Sequence, residues 1–431
     1  MHDRVTGALP WQLRIQNRNS FEGAATGTFP QGRRRLALAI ALGALYAGGA
    51  AGAEPDAQEH DRIDYTLSET LSYDNNLFRL SPGIDARAVV GENARREDYI
   101  DKTSLGLKAH WLAARQSFDV GAHVDDNRFR YNDDLNHVAG NGQAIWNWAL
   151  GDDWSGRAGA IYDRSLAAFA NNQFLGKDML SSVDYFVEGR DQLTPRWSLT
   201  GGAHWSKADH SAADRETENL SSKTGSVGLR YETPRLNAYG LSYRYTDAHF
   251  PDSTVFDRDY SETAPKAWLK YRFTAKTDLD ARFGYLRRDY PNGEIGDFSG
   301  EFWRATLNWA PTAKTQVEFS GWHELQAYIE AGSDYFVSEG IGIAPAWQPN
   351  PHWKVMLQYS FDNQRFIGST PAPFGEPRRR DKVRSRSMAV TYAPLRWLDL
   401  GLSYRFDRRT SNRDMLDYDD STVSLGATVK F

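Results

Sequence analysis

Apolar and polar residues alternate with period two over much of this chain. From Trp397 onward, Leu398, Leu400, Leu402, Tyr404 and Phe406 share one face, while Asp399, Gly401, Ser403, Arg405 and Asp407 share the other. Val227, Leu229 and Tyr231 oppose Ser226, Gly228 and Arg230 in the same way, and Leu279, Ala281, Phe283 and Tyr285 oppose Asp280, Arg282 and Gly284. A helix would repeat every 3.6 residues, so these segments read as strands.

Short turn signals punctuate the strands at a regular spacing. Measured from Ala113 through Asp152, Thr194, Pro234, Ala275, Thr312, Asn350 and Pro394, the gaps are 39, 42, 40, 41, 37, 38 and 44 residues. About ten alternating residues flank each turn, the length of a tilted transmembrane strand. Eight such turns give sixteen strands. One more precedes them (Ile63 to Phe78) and one follows (Ser421 to Phe431), for eighteen. The fold class expected is therefore all-β, an up-and-down antiparallel transmembrane barrel with both ends in the periplasm. Nine longer polar loops, such as Asn132 to Asn141, Lys207 to Ser222 and Gln364 to Lys382, face outward, the asymmetry of outer-membrane barrels. Trp111, Trp148, Trp154, Trp197, Trp309, Trp347, Trp353 and Trp397 gather near the short turns, as an interfacial girdle requires.

Composition supports this picture. The 431 residues include no cysteine, and aromatic residues make up 13%. A mean hydropathy of -0.62 suits a barrel, whose apolar face meets lipid and whose interior holds water. The one long apolar run, Leu36 to Ala53, follows Arg33, Arg34 and Arg35 and ends in Ala51-Gly52-Ala53, the order of a secretory signal. Residues 1–53 are thus expected to be leader and signal peptide, and 54–431 the barrel. The leader holds six Lys+Arg and two Asp+Glu, leaving 45 basic and 54 acidic residues. That acidic balance argues against nucleic acid as a partner.

No His-Glu-x-x-His or Gly-x-Ser-x-Gly pattern occurs, so no catalytic residue, metal site or cofactor is expected. His137, His210 and His249 fall in or beside external loops with Asp neighbours and read as solvated loop histidines. The polar strand faces carry Arg230, Arg244, Lys270, Arg272, Arg282, Arg304 and Arg405, interspersed with Asp280, Glu318 and Asp399. These are lumen-lining candidates, able to bind solute by arginine forks or to pair with one another across strands. A basic run, Arg378 to Arg386, follows Pro371, Pro373 and Pro377. Periodicity from Met388, Val390 and Tyr392 backwards puts Arg384 and Arg386 on the lipid side, at the outer rim, where lipopolysaccharide phosphates are the expected contact. A bulge between Arg386 and Met388 would invert that assignment.

The segment Tyr73-Asp74-Asn75-Asn76-Leu77-Phe78-Arg79-Leu80 resembles the start of the EpsL family of exopolysaccharide-biosynthesis outer-membrane proteins. These are β-barrel porins encoded beside exosortase-type polysaccharide clusters, and the likeness extends to the size and layout of residues 54–431. The resemblance implies a role in moving a secreted polysaccharide across the bacterial outer membrane. With strand one starting ten residues after the expected cleavage, no periplasmic repeat domain is expected, and a separate periplasmic export protein would deliver the polymer. The final strand, ending Val429-Lys430-Phe431, resembles the signal read by the barrel-insertion machinery. A passive solute porin is the chief alternative, an outer-membrane hydrolase or lipid-modifying enzyme the third, and a purely structural barrel is also open.

Overall fold

A computed structural model describes residues 61–431 apart from 172–173, 254–256, 292–295, 331–332 and 369–376. The expected leader, its cleavage point, Pro371 and Pro373 lie outside the described residues. Among the described residues are eighteen strands. The first six are β1 (Arg62–Asp74), β2 (Asp98–Ala113), β3 (Gln116–Phe129), β4 (His137–Leu150), β5 (Trp154–Leu166) and β6 (Met179–Gln192). Next come β7 (Trp197–His210), β8 (Leu220–Glu232), β9 (Ala238–His249), β10 (Tyr260–Thr274), β11 (Thr277–Asp289) and β12 (Phe298–Thr312). The last are β13 (Thr315–Glu330), β14 (Ser333–Asn350), β15 (Trp353–Ile367), β16 (Arg380–Leu395), β17 (Leu398–Ser411) and β18 (Tyr418–Lys430).

Every strand pairs antiparallel with its sequence neighbours, and β18 pairs with β1 to close the sheet. Closure matters in lipid, because an open edge would leave backbone N–H and C=O groups without partners. Alternation sets the two faces. Leu241, Ile341 and Leu425 are more than 60% exposed on the lipid side, while Ser198, Ser424 and Thr428 are buried on the other. Trp148 lies flat in a groove on the lipid side, over Gly156 and Gly189; a Cβ at Gly156 would sit 2.3 Å from its ring.

The eight short turns fall where the sequence places them. Gly151 needs its positive φ of 61° to make one of them. At the other end three expectations change. Strand one stops at Asp74, and Asn75 to Phe78 leave it, because Asp74 and Asn76 cap a tight turn. The outer loops are shorter than the polarity suggested: His137 to Asn141, Lys207 to His210 and Leu220 to Ser222 continue the strands. The backbone of these polar stretches continues the hydrogen-bonded ladder. Strand β13 runs to Glu330 and β14 starts at Ser333, so one of the nine connections is not a long loop.

The apolar core sits at this external end. Leu77, Phe78, Leu80, Ala86, Phe129, Leu135 and Phe169 form one cluster, drawn from three loops, from α1 (Ala86–Val89) and from the end of β3. A second unites Leu220, Ala248, Tyr260, Leu286 and Phe298 on the inner face of β8–β12 with Phe250 and Tyr290 of the loops. Phe336 and Phe366 form a third. Inner-face side chains are covered here only because the loops fold back over them.

Candidate channel lumen and external mouth

Strand parity places all ten lumen candidates on the inner face, spread over β8 to β13 and β17 rather than gathered at one site. Arg244 donates to Glu262 (2.6 Å), which also accepts from the buried Arg288 (2.5 Å). Arg282 and Arg304 both donate to Glu324, at 2.9 and 2.8 Å, so one carboxylate ties β11, β12 and β13 together. Arg230 pairs with Glu232 at 2.6 Å, Arg405 with Asp407 at 2.6 Å, and Lys430 with Asp399 at 2.5 Å. Lys270 and Asp280 stand opposite one another on β10 and β11, 3.8 Å apart. Arg272 is exposed near the periplasmic end, its backbone N–H bonded to Asn237, and Glu318 faces Asn308 across β12 and β13. Cross-strand pairing, one of the two roles open from sequence, is the arrangement most of these side chains adopt.

Sequence reading missed the acids that organise the wall: Glu262, Glu324 and, on β6, Glu188. Glu188 accepts from Arg157 (2.5 Å) and lies 3.4 Å from His204, which also contacts Asp184 at 3.3 Å. The available signal was parity carried further along each strand, since Glu262 shares a face with Lys270 and Arg288 with Arg282. Inner-face rings lie flat against this wall. Trp268 packs over Gly240 and Trp322 over Gly340, positions where a Cβ would overlap the indole at 2.2 Å.

The external mouth is built by loops that turn inward. Asn76 holds the first loop to the last hairpin, its Nδ2 donating to Leu80 O (3.0 Å) and Asp419 O (2.8 Å). Arg79, with an unusual positive φ of 58°, bridges Asp74 and the buried Asp420, both at 3.0 Å. Phe78 then packs on Phe169, ring centroids 5.0 Å apart. Asp98, fully buried, accepts the backbone N–H groups of Arg130, Tyr131 and Asn132 and so fixes the second loop. Arg409, on the inner face of β17, donates to the carbonyl of Ala170 in the loop after β5. Those strands stand six positions apart around the barrel, so this bond runs across the mouth.

The histidines are not the solvated trio expected. His210 is buried and pairs with Asp178 at 2.6 Å, beside Arg215 and Glu218. His137 is part-buried against Leu135 O, and only His249 is exposed, 2.6 Å from Asp259. The loops close over His210 because Asp178 also takes the N–H groups of Ser211 and Ala212. Among the described residues no group of three His, Cys, Asp or Glu side chains is arranged to hold a metal ion.

On the lipid side, Arg384 and Arg386 are exposed and share the face of Met388, with unbroken register between Arg386 and Met388.

Three solved structures illustrate what the chain is similar to. OpdK of Pseudomonas aeruginosa is 12% identical, over 86% of this chain and 99% of its own, with a TM-score of 0.46. OccK9 (OpdG) of the same organism is 12% identical over 86% and 98%, TM-score 0.48. A BenF-like porin from Pseudomonas fluorescens Pf-5 is 11% identical over 86% and 99%, TM-score 0.46. No curated protein matches the chain. The family profile described as "Putative beta-barrel porin 2" matches residues 210–431, more than half of the sequence. With its closed eighteen-stranded barrel, the chain belongs to that family and is a porin-type channel of the bacterial outer membrane.

Proposed function

We propose that this outer-membrane channel passes a secreted exopolysaccharide outward, handed to it by a separate periplasmic export protein. The observation that carries this reading is the balance of charge on the inner wall. A channel selective for ions presents rings of one sign. Four arginines of β9, β11 and β12 share Glu262 and Glu324, and the inner-face acids Asp119, Asp125, Asp184 and Glu188 of β3 and β6 offset that excess, so the wall is strongly polar without a dominant sign. Such a wall offers hydrogen bonds to a hydroxyl-rich chain and holds it only weakly. The likeness of Tyr73–Leu80 to the EpsL family supports the same substrate class. In this reading the chain matures by cleavage after Ala53 and enters the membrane through the barrel-insertion machinery.

Loops folded into the mouth favour a second reading, a passive porin for small solutes. Deleting the protein separates the two. Loss of released polymer with unchanged uptake of sugars and ions supports export; normal surface polymer with slowed solute uptake supports the porin. Single-channel recording with purified polymer gives a direct check, since polymer in transit should block the current in discrete events.

A further inference from the structure

We propose that the lipid-facing side of β15–β17 binds the phosphate groups of the outer-leaflet glycolipid. Arg380, Lys382, Arg384 and Arg386 alternate along one exposed face of β16. Arg365 of β15 stands directly opposite Arg380, and Arg408 of β17 directly opposite Arg384. Like charges in directly opposed register repel, so two arginine pairs side by side call for an anion from outside the chain. The carboxylates nearby are already engaged. Glu339 takes Arg365 (2.8 Å) and His323 (2.9 Å), and Asp419 takes Arg408 (2.5 Å). Among the described residues, no carboxylate pairs with Arg380, Lys382, Arg384 or Arg386.

Height in the membrane fits the ligand. Arg386, Arg408 and Arg384 lie nine, ten and eleven residues from the periplasmic ends of their strands. A tilted strand climbs roughly 2.5 Å per residue, which sets them about 25 Å up, the height of the outward apolar band. Below them that band continues as Met388, Tyr404 and Leu357, all exposed. The guanidiniums of Arg384 and Arg386 lie over the rings of Phe361 and Tyr359, each at 5.9 Å, which holds the cations against the wall. Forked guanidiniums at the polar boundary match phosphate geometry.

The barrel carries its own control. At the same level on β1–β3 the outward side chains are Glu69, Asp101, Thr103, Asp126 and one cation, Arg128, which pairs with Asp126 at 3.0 Å and stands opposite Asp101. Glu69 stands between the exposed Leu67 and Leu71, and Asp101 pairs in register with Leu71, so these acids face lipid. Three acids outnumber the single cation there, so phosphate binding should be one-sided.

The test uses the full folded barrel in detergent with two probes, bis-phosphorylated lipid A and its dephosphorylated form. Wild type should bind the first at least tenfold more tightly than the second. Arg384→Ala with Arg386→Ala should lose most of that preference, while Arg384→Lys with Arg386→Lys, which keeps the charge, retains much of it. Heat-modifiable mobility and conductance should not change in either variant. A photo-crosslinker at Phe361 should capture lipid A, and one at Val124 should not. Equal binding of both probes, or equal capture at the two positions, overturns the proposal. Crosslinks joining Phe361 of one copy to the β2 face of another overturn it as well, by assigning the patch to a second copy.

Discussion

At the periplasmic end, β10 and β11 are joined by two residues, and Trp309 and Trp347 sit exposed beside such turns. At the external end the connections fold inward and bury Phe78, Phe250 and Arg379. One end is held by ladder hydrogen bonds and interfacial aromatics, the other by small cores like those of a soluble protein. The comparison teaches that the barrel and its mouth are separate physical units, which single substitutions should be able to uncouple.

The largest expected effect is at the mouth. Phe78 is 2% exposed against Phe169, so Phe78→Ala should destabilise the first loop by about 3–5 kcal/mol. Protease should then cut within residues 75–97, and conductance should rise, while the barrel keeps its heat-modifiable shift. If the barrel melts with the loop, the two ends are one cooperative unit.

Asp98→Ala comes next. It removes the acceptor for three backbone N–H groups and for the Asn132 side chain, at a cost of about 1–3 kcal/mol. Hydrogen exchange should accelerate at residues 130–132 and not at β2 or β3. The matching test of the other end is Gly156→Ala, whose Cβ would overlap Trp148 and the Glu188 carbonyl. Overpacking there should cost about 1–3 kcal/mol and lower the barrel's melting temperature, leaving the mouth's protease resistance unchanged.

These two units were unequally legible in the sequence. Period two along β8, β11 and β17, with turns about forty residues apart, gave the strand count and both faces, because lipid and water enforce alternation at every position. The ten lumen candidates followed from the same parity. Their partners Glu262 and Glu324 did not, since pairing needs the register between strands, and Arg282 reaches Glu324 by passing over a whole strand. Inward folding of Asn75–Leu80 was hidden because a capped turn and a polar loop have the same composition. His210 was misplaced for a similar reason: no local signal says that Asp178, 32 residues away, will bury it.

The smallest expected effect is a pH dependence at that site, outside the membrane. Burial works against the charge of Asp178, but His210, the Ala212 N–H and Arg215 outweigh it and hold its carboxyl below the usual 3.8. Its contribution is complete above the unfolded value and fades as pH falls through the lower folded one. Burial pushes Glu218 above the usual 4.5, against the pull of Arg215, His210 and Arg258. That contribution is complete below 4.5 and fades as pH rises through the folded value. Corrected for intrinsic rates, exchange of the Ser211 and Ala212 amides should be slowest between 3.8 and 4.5 and speed up on both sides. A monotonic profile would mean that only one of the two acids titrates with the loop.

The seam of the barrel constrains how the chain can be assembled. β1 meets β18 through nine residue pairs, and Phe431 exchanges backbone hydrogen bonds with Tyr65 at 2.9 and 3.3 Å. These partners stand at opposite ends of the strand order, so every other hairpin can form while the seam is still open. Joining ends this far apart carries the largest loop-closure entropy in the molecule. Until β18 pairs with it, β1 keeps one row of backbone N–H and C=O groups without strand partners. A chain cut before β18 keeps the other strand pairings and loses the partner that joins β17 to β1.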